Sequence, residues 1–266
     1  MQLYTRINSD KKAILFFAGW GMDGHPFMHM EHNGYDLYIF HDYSTITFST
    51  CPEDEVCNPE CSETCVMQQI FNNYHEIYII GFGLGVWCAS AAFDKYLIRL
   101  NRMGHFSELK FWAKIKRCIA INGTLMPISK VWGISPHSYI KTMELLPDKS
   151  VMDKFLHRMC HTKKEYDFYM THAPQRDPRQ AKEELATIYS HLFMSNSLTW
   201  DTAIIGDNDL IFKTDRQLTF WENYAGIAPG GYIPGTRKRF GLRSIKLEGS
   251  HYLFNRFSSW SEIIAL

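Results

Sequence analysis

The chain has 266 residues, 45% hydrophobic and 21% charged, which is enough to bury one sizeable core and too apolar for a disordered segment. Lys plus Arg number 28 and so do Asp plus Glu, so the overall charge gives no argument for nucleic acid or a membrane surface as partner. No apolar run reaches the length of a membrane span, and the first, residues 13–17, is too short for a secretory signal core.

A cytoplasmic location is the resulting expectation, and there the seven cysteines are expected to remain thiols. Residues 3–7 read as a first strand. Residues 13–18 (AILFFA) form a continuous apolar run that ends at Gly19-Trp20-Gly21. Further runs at 35–40, 77–80, 118–121, 202–205 and 244–247 end at or near Gly, Asn or Asp. Runs apolar on both faces suit strands of a parallel sheet covered by helices. Helical spacing appears at 86–101, 217–224 and 252–264. The alternation predicts a doubly wound, mostly parallel α/β sheet, with sites at the carboxyl ends of its strands. Residues 132–197 break the alternation. They read as several helices punctuated by Pro136, Pro147, Pro174 and Pro178, a helical lid inserted over that edge. Residues 1–266 together read as a single domain.

The most informative stretch is IYIIGFGLGVW, residues 77–87. A strand runs into Gly81-x-Gly83-x-Gly85 and then into a helix. This is the frame of a nucleophile elbow, G-x-S-x-G, with glycine in the middle position. The turn is tight, so small residues must flank it, and the N–H of the next residue, Leu84, faces a developing oxyanion. A glycine-rich phosphate-binding turn is the alternative. The dinucleotide fingerprint G-x-G-x-x-G fits poorly, because no acidic ribose-binding residue follows at the right distance.

Beyond a late strand, Gly206-x-x-Asp209 supplies a carboxylate where an orienting acid belongs, with Asp207 as second choice; capping of a loop is the plainer role for either. His251 follows the last strand. Elbow, then acid, then histidine is the chain order of the α/β-hydrolase fold. After the early strand, Trp20 stands where that fold supplies its second oxyanion amide, and its indole is expected to wall the pocket.

FFAGWGMDGHPF (16–27), GFGLGVW (81–87) and AINGTLMPI (120–128) followed by Trp132-Gly133-Ile134 resemble the BioG family. Its members are pimeloyl-[acyl-carrier protein] methyl ester esterases of biotin synthesis. The resemblance implies a Ser-His-Asp mechanism with no metal or cofactor, and an acyl-carrier protein bearing a pimeloyl methyl ester as partner. It puts Gly83 at the serine position, Asp209 at the acid, His251 at the base, and Trp20 and Leu84 at the oxyanion hole. The lid cations Lys163 and Lys164 become candidates for docking an acidic carrier.

Glycine has no side chain to attack a carbonyl. Cys88 and Ser90, on the following helix, are the nearby candidates for a relocated nucleophile. Either the chain is an esterase altered at position 83, or it is a natural non-catalytic homologue that binds an acyl chain or carrier protein. The codon for position 83 in the organism's own gene separates these. Cys51, Cys57, Cys61 and Cys65 lie in an acidic segment longer and richer in cysteine than the family pattern. Four thiolates could hold zinc, but paired C-x-x-C spacing is missing, and unligated thiols are the expectation.

Overall fold

A computed structural model describes residues 1–48, 66–102, 112–192, 198–227 and 242–266. Cys51, Cys57, Cys61, Cys65 and the end of the 132–197 segment lie outside the described residues. Strands β1 (Gln2–Arg6), β2 (Lys12–Phe17), β3 (Asp36–His41), β4 (Glu76–Phe82), β5 (Ile115–Ile121), β6 (Thr202–Gly206) and β7 (Arg243–Leu247) form one sheet in the order β1-β3-β2-β4-β5-β6-β7. β1 runs antiparallel to β3, and every other pairing is parallel.

The side-chain alternation of β2 explains the layers. Ala13, Leu15 and Phe17 point into one core, and Ile14 and Phe16 into the other. Helix α2 (Leu84–Arg102) covers the first face, burying Val86, Ala89 and Phe93. α1 (Val66–Asn73), which the sequence reading did not anticipate, adds Met67 and Ile70. Helix α7 (Thr214–Ile227) adds Phe220 and Trp221 to the same core. On the second face, α8 (Trp260–Ala265) buries Trp260 and Ile263 beside Phe16.

The helix expected at 252–264 is in fact split. A 3-10 turn occupies Phe254–Arg256, Phe257 is extended (φ −115°, ψ 137°), and α8 begins only at Trp260. The cause is a tertiary pairing. Glu31 N–H donates to the Ser258 carbonyl at 2.8 Å, and Trp260 N–H donates to the Glu31 carbonyl at 2.9 Å. That short parallel bridge holds the backbone extended where periodicity alone reads helix.

Between β5 and β6 lie α3 (Pro136–Leu145), α4 (Lys149–Met159), α5 (Lys163–Thr171) and α6 (Pro178–Ser190). Ser135, Asp148, Thr162 and Asp177 cap them in turn, each accepting a hydrogen bond from an N–H of the first turn. Among the described residues, no helix is long and apolar enough to cross a membrane.

Candidate active site

Gly83 stands alone between the end of β4 at Phe82 and the start of α2 at Leu84, with φ +57°. A Cβ built on it meets nothing nearer than His251 Nε2 at 3.2 Å, His251 Cε1 at 3.5 Å and Gly19 Cα at 3.9 Å. Its neighbours are different. A Cβ on Gly85 would strike the Phe17 carbonyl oxygen at 2.2 Å, one on Gly123 the Gly83 carbonyl oxygen at 2.2 Å, and one on Gly81 the Val86 Cα at 2.7 Å. Backbone contact requires glycine at 81, 85 and 123. At 83 no backbone stands in the way: a Cβ would press on an imidazole, which has to give by a few tenths of an ångström, and the φ of +57° strains any side chain placed there.

His251 is buried after β7. Its Nδ1 lies 2.8 Å from Asp209 Oδ2. Asp209 is oriented in turn: Oδ1 accepts the N–H groups of Ile211 (2.8 Å) and Phe212 (3.0 Å), and Oδ2 accepts the Gln217 amide (2.9 Å). Phe212 and Phe82 pack on the ring, with centroids 6.1 and 4.8 Å away. Asp207, the second-choice acid, faces elsewhere and accepts the Gly249 N–H at 2.9 Å. Asn122 ties the loops together. Its Nδ2 donates to the carbonyls of Ser250 (3.0 Å) and His251 (2.7 Å), and its Oδ1 accepts the Gly206 N–H (2.7 Å).

A cavity of about 340 Å³ opens over this point. Gly19, Trp20, Leu84 and His251 line it from the sheet edge, and Tyr139, Phe155 and Leu185 from the inserted helices. The main-chain N–H groups of Trp20 and Leu84 donate to no protein acceptor among the described residues. The Trp20 indole donates to the Ala181 carbonyl at 2.7 Å and meets Phe155 edge-on.

The inserted helices are pinned to the loop after β2 by buried charge. Glu184 of α6 accepts the N–H groups of Gly21 (3.0 Å) and Tyr43 (2.9 Å). Arg176 pairs with Glu184 at 2.8 Å and with Asp42 at 3.2 Å. Burial raises the Glu184 carboxyl above its ordinary range, and Arg176 pulls against that shift.

Cys88 and Ser90 face the core. Cys88 is wholly buried, burial pushes its thiol well up, and Ser90 Oγ accepts the Trp200 indole at 3.2 Å. Neither lines the cavity. Lys163 and Lys164 are exposed on α5 and also stand off the cavity, and Lys163 is paired with Asp167 at 2.6 Å. The cations that do line it are Arg158, Lys213 and Arg216.

A family model described as "Pimeloyl-ACP methyl esterase BioG" matches residues 62–263. The chain belongs to the BioG family. The crystal structure of BioG from Haemophilus influenzae superposes with a TM-score of 0.70 over 98% of this chain and 99% of that one, at 21% identity. A thermophilic esterase from Thermogutta terrifontis gives 0.54 over 94% and 86%, at 10% identity. These likenesses establish an α/β-hydrolase fold. In sequence, this BioG chain is 34% identical over 217 residues to a Bacteroides fragilis protein called malonyl-[acyl-carrier protein] O-methyltransferase. The match takes in 80% of this chain and 37% of that protein's length.

Sequence reasoning missed the clamp at Asn122, the aromatic pair Phe82 and Phe212, the Arg176–Glu184 anchor and the cavity cations. Asn122 alone left a signal: it sits in an Asn-Gly step at the end of a strand, and it adopts a left-handed backbone at φ +46°.

Proposed function

We propose that this chain carries the machinery of a serine-type carboxylic ester hydrolase with the nucleophile position occupied by Gly83. The observation that carries the reading is directional: a Cβ on Gly83 points at His251 Nε2 from 3.2 Å, while Nδ1 of the same ring faces Asp209 at 2.8 Å. With serine at 83, His251 would take the hydroxyl proton as general base, and Asp209 would fix the tautomer and stabilise the imidazolium. The N–H groups of Trp20 and Leu84 would hold the oxyanion; one such donor is worth about a hundred- to a thousand-fold in rate. Without the hydroxyl, the acyl-enzyme route is closed.

The substrate proposed is the methyl ester of a carrier-borne pimeloyl chain, cleaved to methanol and the free acid in the cytoplasm. Family membership supports it, as does a partly apolar cavity bearing Arg158, Lys213 and Arg216 with no acidic residue lining it among the described residues. These cations suit the anionic arm of an acyl-carrier protein, and Lys163 and Lys164 remain candidates for its acidic body. Charge reversal at Arg158 or Arg216 should weaken carrier binding in a salt-dependent way; the same reversal at Lys163 and Lys164 tests the outer site.

The second reading, a natural module that binds an acyl chain or carrier without turnover, is favoured by Gly83 itself. Ester assays on Gly83→Ser decide between them. The enzyme reading expects hydrolysis that disappears when His251→Ala is added. A folded Gly83→Ser that cleaves neither methyl nor p-nitrophenyl esters hands the protein to the binding-module reading.

A further inference from the structure

We propose that the chain as it stands is a slow ester hydrolase working in one step, with His251 activating a water molecule lodged beside Gly83 and no acyl-enzyme formed. The proposal rests on the reading above for the roles of His251, Trp20 and Leu84, and goes beyond it in giving glycine at 83 a chemistry of its own.

Three observations carry it. First, the side of Gly83 that lacks a side chain faces the base: apart from the turn itself, the atom nearest to a Cβ built there is His251 Nε2 at 3.2 Å, and the nearest main-chain atom, Gly19 Cα, is 3.9 Å off, so a water resting on the Gly83 Cα meets the imidazole and no other backbone. Second, the turn cannot collapse to fill that space. Gly83 N–H donates to the Ile121 carbonyl at 2.9 Å, and its carbonyl accepts Val86 N–H at 3.3 Å. Gly85 and Gly123 are already in backbone contact with their neighbours. Third, the base cannot swing away, because Asp209 holds its ring at 2.8 Å and Asn122 holds its carbonyl at 2.7 Å. His251, Gly19 and Leu84 all line the cavity, so an ester carbonyl lying there comes beside the imidazole.

The step balances with water as the only co-reactant. The water oxygen bonds to the carbonyl carbon as His251 Nε2 takes one water proton. The carbonyl electron pair moves onto oxygen, where the amides of Trp20 and Leu84 hold it. As the carbonyl reforms, the bond to the alkoxide breaks and His251 returns the proton to the leaving oxygen. One ester and one water become one acid and one alcohol. In triad enzymes stripped of the triad, oxyanion hole and binding alone keep on the order of a thousand- to ten-thousand-fold over water; a water held against His251 would add general-base catalysis to that remainder.

A methyl group at position 83 would crowd out a water resting on the Gly83 Cα, so alanine is the sharp probe. The experiment follows p-nitrophenyl butyrate and methyl butyrate hydrolysis by the unaltered chain, Gly83→Ala, His251→Ala and Gly83→Ser, with circular dichroism and melting curves as folding checks and a fluorophosphonate probe for a covalent serine adduct. The unaltered chain should turn over without a burst and without labelling. His251→Ala should lose about a hundred-fold or more, the usual worth of a positioned general base, and Gly83→Ala should fall with it. Gly83→Ser should be faster, show a burst and take the label. If Gly83→Ser is active while the unaltered chain does no better than His251→Ala, the one-step route is overturned and the esterase reading stands. If folded Gly83→Ala keeps the unaltered rate, the water's position is overturned. If Gly83→Ser is folded and inert, both fall. Should Gly83→Ala fail to fold, the comparison of the unaltered chain with His251→Ala decides.

Discussion

Asn122 reaches three main-chain groups from two different loops with one side chain, and it holds a left-handed backbone to do so. The carbonyls of Ser250 and His251 and the N–H of Gly206 are buried around it. Asn122→Ala would leave them without partners, and each orphaned group costs about 1–3 kcal/mol. We expect a loss of about 3 kcal/mol or more in urea unfolding, and, in the Gly83→Ser background, a drop in kcat as His251 loosens. A variant of unchanged stability would show that water replaces the amide at no cost. At this scale the sequence was legible where chemistry is written in local spacing. Gly81-x-Gly83-x-Gly85, Gly206-x-x-Asp209 and His251 all sit at strand ends, and the structure brings Gly83, Asp209 and His251 together. Asn122, Phe82 and Phe212 were not legible as site residues, because their partners lie far away in the chain.

The inserted helices are held at the sheet edge by a charged clamp. Glu184 projects from α6 into a fully buried site, where it receives Gly21, Tyr43 and Arg176. Removing one partner of such a pair leaves an uncompensated charge, at a cost of about 3–5 kcal/mol, whereas replacing both with apolar residues of similar volume is often neutral. Arg176→Met alone should therefore destabilise strongly, and Arg176→Met with Glu184→Leu should recover only part of the loss in equilibrium unfolding, because Asp42 and the N–H groups of Gly21 and Tyr43 stay without their partners. The double variant should still be impaired in the Gly83→Ser background, since Gly21 N–H loses its acceptor one residue from the Trp20 amide. Equal losses in single and double variants would show that the clamp is more than a paired charge. The helices themselves were legible from the broken strand alternation and their prolines. The anchor was not: nothing local marks Arg176 and Glu184 as a pair, and their partners Asp42, Gly21 and Tyr43 lie more than a hundred residues away in the chain. The C-terminal segment failed for the related reason that pairing with Glu31 overrode its helical period.

Across the whole molecule, β/α alternation predicted the sheet and its loaded edge, but neither the strand order nor the antiparallel placing of β1, since both depend on long-range pairing. The same assembly creates a pH dependence that the neutral formal charge conceals. His41, at the end of β3, is buried beside Arg176, and its ring is held down to about 4 from the ordinary 6.5, first by burial and then by that guanidinium, with Asp23 and Asp42 pulling the other way. In the unfolded chain the ring takes up a proton near pH 6.5; in the folded protein it does so only near pH 4. Between those values the unfolded state binds more protons, so stability falls as pH falls, and the contribution is fully present only above the unfolded value. The full shift corresponds to about 3 kcal/mol, and at pH 5 about 2 kcal/mol of it should already be lost. Glu184 works in the opposite sense. Its raised folded value makes stability fall as pH rises out of the ordinary carboxylate range, so it acts against the acid loss. Guanidinium unfolding at pH 7 and pH 5 on the unaltered chain and on His41→Phe reads the effect directly. Phenylalanine keeps the burial and removes the titration, so the variant should lose about 2 kcal/mol less than the unaltered chain over that interval. Identical losses in the two proteins would mean that His41 is protonated without strain in the fold, and that the acid sensitivity lies with other groups.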